Sequence, residues 1–211
     1  MKKIKALLYC TKKGGELIYF GYGNREYRCM TKKNQDYIFN VEGFNPNDIS
    51  HCLNGTIPCE CEIEVEEIKK GWGCLIGTRY YRKSSGYPDY ELEQKSCLSF
   101  DKMNKYLKGT LNEKSGYALH ITNLKVFDKP RELSEYYHYD DVRLTKAPQN
   151  MMSVYSITEH DDYVENNYCG SYEEFEEYVL ISIQPQWLCK ILNGEKDIEI
   201  RKQVLNCMKG E

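Results

Sequence analysis

Three side chains near the C-terminus could act together on one ligand: Lys196, Glu199 and Arg201, in the stretch Gly194-Glu-Lys-Asp-Ile-Glu-Ile-Arg201. Lysine and arginine are the natural partners of phosphate or carboxylate groups, and a glutamate accepts from an exocyclic amine. Their spacing matters if residues 197–201 form a strand. Ile198 and Ile200 then take the core face, and Asp197, Glu199 and Arg201 share the other. A turn before the strand presents Lys196 beside them. A plain Glu–Arg ion pair on an edge strand has the same pattern, so spacing alone leaves both readings open.

A second candidate is Arg79-Tyr80-Tyr81-Arg82-Lys83, followed by Tyr87 and Tyr90. Cations hold phosphate and rings stack on bases, a mixture that suits single-stranded nucleic acid. A solvated hairpin tip reads the same way. His51, Cys52, Cys59 and Cys61 invite a metal reading. However, Cys59 and Cys61 follow a strand's apolar alternation and lack the usual two-residue spacer, so they are expected in the core, with no metal and no cofactor. His120 lies in an apolar strand and is expected as a satisfied core or cleft-edge histidine. Gly21-Tyr-Gly23 and Gly71-Trp-Gly73 are too short to be more than turns.

The elements that must position these groups are mostly strands. Ile4–Cys10 reads as a buried strand, and residues 16–21 can return as another. On the next clear strand Cys59, Cys61, Ile63 and Val65 share one face, and Glu60, Glu62, Glu64 and Glu66 the other. Residues 116–127 form a long strand candidate, and residues 181–183 and 197–201 two short ones. Helical spacing is confined to Ser99–Leu107, to a capping-box pattern from Ser171 to Tyr178, and to residues 185–192. The last begins with a proline and ends at Asn193-Gly194. Residues 78–91 read as a loop or hairpin insertion. Together these features give an α+β class.

The chain's 211 residues suit one embellished domain, or one domain plus a long linker, with a core of its own. The net charge of −3 argues against a nonspecific DNA coater. The charge is uneven. From Ala147 to Cys189 there is no Lys or Arg but eight acids, so the remainder carries 29 basic against 24 acidic residues and can attract phosphates. No apolar stretch approaches the roughly 20 residues of a membrane helix. No signal peptide is recognisable, so the ten cysteines are expected reduced in the cytoplasm.

Ile181-Ser-Ile-Gln-Pro185, Trp187, Ile191-Leu-Asn-Gly-Glu-Lys196 and Ile198-Glu-Ile-Arg-Lys202 resemble the signature of ASCH domains, of the PUA-like superfamily. That signature runs strand, proline-started helix, then Gly-x-Lys-x-x-[Thr/Glu]-x-Arg. Tyr9-Cys-Thr-Lys12, Asn54-Gly55, Tyr117-Ala-Leu-His-Ile121, Asp128-Lys-Pro-Arg-Glu-Leu133 and Ala147-Pro-Gln149 are similar to segments of phage and prophage members. Those members begin with the signature, whereas this chain ends with it. The order suggests circular permutation, or a swap in which the C-terminal segment completes a neighbouring chain.

The resemblance implies a PUA-like mixed β-barrel with a few short helices and permuted connectivity. Residues 1–150 would be the barrel body, 151–180 an acidic linker with a short helix, and 181–211 the completing strand–helix–strand. It also implies binding of RNA or a modified nucleotide in a cleft of Lys196, Glu199 and Arg201, with Trp187 and Lys12 beside it. The Arg79–Lys83 segment would extend the contact. Some small bacterial members are amidohydrolases of N4-acetylcytidine that use the signature Lys and a Thr three residues later. Here the candidate catalytic pair would be Lys196 and Glu199, and a carboxylate does not replace a hydroxyl nucleophile. A binding module is therefore expected first and an amidohydrolase on N4-acylated cytidine second. A third expectation is a phage anti-defence protein that contacts a host protein or sequesters nucleotides, working as a monomer or a swapped dimer.

Overall fold

The computed structural model describes residues 3–12, 16–23, 26–32, 49–71, 74–77, 90–107, 116–138, 142–156 and 176–209. The strands are β1 (Ile4–Cys10), β2 (Ile18–Gly23), β3 (Glu26–Thr31), β4 (Ile49–Cys52), β5 (Ile57–Gly71), β6 (Cys74–Gly77), β7 (Gly116–Arg131), β8 (Tyr136–Tyr137), β9 (Met151–Ser156), β10 (Glu177–Ile183) and β11 (Ile198–Arg201). The helices are α1 (Tyr90–Ser96), α2 (Phe100–Leu107) and α3 (Pro185–Leu192). The class is α+β, with few and short helices. The chain divides into two compact units. The first comprises Met1–Ile4, Glu62–Asn123 and Lys190–Glu211, and the second Lys5–Cys61 and Leu124–Cys189. Strands β5 and β7 contribute residues to both.

In the first unit the hydrogen-bonded order is β11-β7-β5, with β6 also on β5. Strand β11 runs antiparallel to β7, with Ile198 opposite His120 and Ile200 opposite Ala118. Paired residues share a face, so Ile198, Ile200 and Ala118 gather with Ile68 under Leu92 of α1 and Met103 and Leu107 of α2. That helical cover changes the meaning of β5's alternation. Glu60, Glu62 and Glu64 are partly exposed, but Glu66, on the same face, is buried. The alternation places all four on one face. The face becomes core where α1 and α2 cover it.

In the second unit the order is β7-β5-β1-β10-β9-β8. Its core is Leu7, Tyr9, Ile57, Phe127, Tyr136, Leu144, Val154, Tyr178 and Leu180. Strands β1 and β10 pair in parallel, Ala6 with Val179 through Cys10 with Ile183. Parallel partners are buried on both faces, which fits the unbroken burial of Tyr178–Ile183, Ser182 included. A separate three-stranded sheet has the order β3-β2-β4. Neither unit's strand path closes on itself among the described strands; the first stops at β11 and the second at β8.

Several expectations change. Residues 151–156 are strand β9, hydrogen-bonded to β10, and not linker: Met151, Ser153, Val154 and Ser156 are buried. Glu177 and Tyr178 open β10 instead of closing a helix from Ser171. The stretch 157–175, most of the acidic segment, lies outside the described residues. So do residues 78–89, and with them Arg79, Tyr80, Tyr81, Arg82 and Lys83. Tyr90–Ser96, partly assigned to that insertion, is helix α1, anchored by buried Leu92 and by the Glu91–Lys95 pair one turn apart at 2.9 Å. No helix among the described residues is long and apolar enough to cross a membrane.

Candidate functional site

Helix α3 is terminated as its residues demand. Gly194 takes φ +72°, a conformation that L side chains resist, and its N–H bonds the Ile191 carbonyl at 3.0 Å. The N–H groups of Glu195 and Lys196 both reach the Lys190 carbonyl, at 2.9 and 3.2 Å. This tight wrap turns the Lys196 side chain inward. The backbone then docks on two neighbours: Asp197 N–H donates to the Lys95 carbonyl at 3.0 Å, and Ile121 N–H donates to the Asp197 carbonyl at 2.8 Å. Strand β11 follows in register with β7.

Lys196 is the most consequential side chain in this unit, and it is not presented at the surface. Its side chain is fully buried. Nζ donates to the carbonyls of Ser96 and Ile198, both at 2.6 Å, and lies 3.3 Å from Glu199 Oε2. An ammonium has three N–H donors, and three acceptors surround this one. It therefore ties the C-terminal end of α1 to the first residues of β11. Burial lowers the Lys196 pKa from its ordinary value, with the Glu199 carboxylate pulling the other way. The other oxygen of Glu199, Oε1, lies 3.2 Å from Arg201 Nη2. The carboxylate is thus held at both oxygens, between an inner lysine and an outer arginine. Glu199 and Arg201 keep 13% and 12% of their side chains exposed, so solute can meet them where it does not meet Lys196.

The rim of this cluster is also ordered. The Cys97 thiol donates to the Glu195 carbonyl at 3.1 Å, and Cys97 takes φ +54° just after α1. Lys202 Nζ stands 5.1 Å from the centre of the Tyr106 ring. Expected neighbours Lys12 and Trp187 belong to the second unit. Lys12 is exposed, with its stem crossing Gly55, and Trp187 is half-buried in the first turns of α3.

One buried polar pair escaped the sequence reading. His120 Nε2 lies 2.6 Å from Glu66 Oε2, with side-chain exposures of 8% and 1%. His120 was expected as a satisfied core or cleft-edge histidine, and it is buried with Glu66 as a partner. A local signal existed: Glu66 is the glutamate next to Ile68 on its face, where the stripe turns apolar. Among the described residues no group of three or more His, Cys, Asp and Glu side chains is arranged to hold a metal ion, and Cys59 and Cys61 are buried. No protein-family model, curated protein or solved structure matches the chain.

Proposed function

We propose that the protein binds RNA or a nucleotide, as a PUA-like protein of ASCH type with permuted connectivity, through the Glu199–Arg201 edge of its first unit. The observation that carries this reading is the clamped carboxylate. Glu199 is fixed by Lys196 from within and Arg201 from without, yet part of it reaches the surface. A fixed carboxylate accepts from a nucleobase amine without first being ordered, so less entropy is lost on binding. Arg201 beside it offers a planar fork to a phosphate. With two cations and one anion the trio carries one net positive charge, which favours a ligand with a phosphate over a neutral nucleoside. Lys196 acts through Glu199 as a positioning residue. A barrel completed by the C-terminal segment, in cis or by exchange between two chains, belongs to the same proposal, and the mass in solution separates the two forms.

The test is direct binding. Purified protein freed of nucleic acid is titrated with a fluorescently labelled RNA pool and with nucleoside monophosphates at low salt. Binding that weakens as salt rises supports the reading. Absence of binding to every member of the set removes it.

A second reading, an amidohydrolase on N4-acylated cytidine, needs Lys196 as general base; burial lowers its pKa in the direction that role requires, but substrate would first have to reach a side chain that is fully buried. Incubation with N4-acetylcytidine and quantification of released cytidine tests it. No turnover above a Lys196→Met control rejects it.

A further inference from the structure

Helix α2 turns its apolar side chains to one flank. Met103 and Leu107, one helical turn apart, are buried with Ala118, Ile198 and Ile200, which leaves Lys102, Lys105 and Tyr106 outward and exposed. Of the large apolar side chains exposed among the described residues, Leu17, Tyr106 and Val142, only Tyr106 carries a ring, and it is 43% exposed. Lys202 Nζ stands over that ring, 5.1 Å from its centre. Lys202 directly follows Arg201, the last residue of β11. Consecutive residues of a strand point to opposite sides. Arg201 accordingly turns to Glu199, with Nη2 3.2 Å from Oε1, and Lys202 turns to Tyr106. Two cations therefore straddle the end of β11, one beside a fixed carboxylate and the other beside an exposed ring. The charged residues of α2, β11 and position 202 are the four cations Lys102, Lys105, Arg201 and Lys202 and the two acids Asp101 and Glu199. Asp101 belongs to the first turn of α2, where an acid complements the helix dipole.

We propose that the ligand is a single-stranded polynucleotide whose chain crosses the end of β11, an inference that rests on the Glu199–Arg201 site described above. One nucleotide meets Glu199 and Arg201, and an adjoining base stacks on Tyr106. Lys202 takes a backbone phosphate there, with Lys102 and Lys105 near the flanking ones. A single nucleotide occupies only one side of the strand end, whereas a linked chain reaches both. A lysine over an exposed ring is a weak contact in water. A base on the same ring is the stronger contact, and the displaced ammonium then gains a charge-assisted bond to phosphate. Every base has a π-face, so the α2 side adds affinity without choosing sequence. Neither ring nor cation reads the sugar, so RNA and DNA strands share this chemistry.

The test is fluorescence anisotropy on the full-length chain freed of nucleic acid. The probes are a labelled oligouridylate and a labelled oligothymidylate of about eight nucleotides, with UMP and TMP as unlabelled competitors. At least one strand is expected to bind about tenfold or more tightly than its monophosphate. Preference for the oligouridylate supports the path and assigns RNA; preference for the oligothymidylate supports it and assigns DNA. Tyr106→Ala should weaken strand binding about tenfold, with an unfolding temperature close to wild type, and Tyr106→Phe should retain wild-type affinity. Tyr106→Leu replaces the alanine variant if that chain does not fold. Lys202→Gln should lower the slope of log affinity against log salt by about 0.7. Equal affinities for strand and monophosphate would overturn the proposal, as would equal strand binding by wild type and Tyr106→Ala. If Arg201→Gln still weakens binding in either case, the Glu199–Arg201 site stands and only the path over α2 falls. Absence of binding to every probe, or wild-type affinity in Arg201→Gln, removes the site and this inference with it.

Discussion

Replacing Lys196 by methionine keeps most of the side-chain volume and removes the ammonium. The Ser96 and Ile198 carbonyls, each bonded by Nζ at 2.6 Å, lose their donor inside the protein. Glu199 keeps Arg201 at 3.2 Å. An acceptor orphaned by loss of its donor costs about 1–3 kcal/mol, and removing one partner of a buried ion pair costs about 3–5 kcal/mol in total. A loss of about 3–5 kcal/mol is therefore expected for Lys196→Met. With a urea slope of about 2 kcal/mol per molar, the unfolding midpoint should fall by roughly 2 M. Circular dichroism in urea measures it. The pH dependence supplies an internal control. Burial lowers the folded-state pKa of Lys196 from its ordinary value of 10.5, so between the two values the unfolded chain holds more of this proton. Stability attributable to Lys196 therefore rises with pH through that window. It is fully present above the unfolded value and lost as pH falls through the folded one. The wild-type minus variant difference should grow as pH rises toward 10.5. A midpoint shift below about 0.5 M would refute the assignment of Lys196 as a buried tie, and a difference that shrinks with rising pH would refute the lowering of its pKa by burial.

Two further substitutions test the surroundings. Glu66→Ala removes the partner of His120 and should cost about 2–3 kcal/mol, whereas Glu66→Gln keeps an acceptor and should cost about 1 kcal/mol or less; thermal unfolding distinguishes them, and equal losses would contradict the pairing. Gly55→Ala places a Cβ at φ +90° against the Lys12 stem and should cost about 1–2 kcal/mol in thermal unfolding, most of it from the backbone conformation. A neutral result there would mean that the Asn54-Gly55 turn readjusts.

Much of the architecture could be read from residue patterns. Strand β11 behaves as its alternation requires, with Ile198 and Ile200 buried and Glu199 and Arg201 at the margin. Helix α3 begins at Pro185 and is followed by Asn193-Gly194, as its end signals demand. The Glu199–Arg201 pair was also identifiable, because a Glu and an Arg two residues apart on one strand face meet by geometry alone. What could not be read were contacts set by other segments. The inward turn of Lys196 depends on carbonyls at Lys190, Ser96 and Ile198, and the first two are remote from the strand or belong to another helix turn. A lysine in a Gly-Glu-Lys-Asp turn looks solvent-exposed when only its neighbours are considered. The burial of Glu66 has the same origin: α1 and α2 cover only the later part of β5's even-numbered face, and within β5 only the neighbouring Ile68 hints at that cover. Strand β9 was missed because Met151–Ser156 mixes serines with apolar residues, and only its pairing with β10 makes those serines core positions.

The central claim is that a ligand bearing a base and a phosphate meets Glu199 and Arg201. Fluorescence anisotropy of a labelled single-stranded RNA pool, titrated with wild-type protein and with Arg201→Gln, tests it most directly. Wild-type binding at low salt and a roughly tenfold weaker variant, a change of about 1.4 kcal/mol, is the expected outcome, with both proteins unfolding at similar temperatures. Equal affinities for wild type and Arg201→Gln would contradict the assignment of this edge as the binding site.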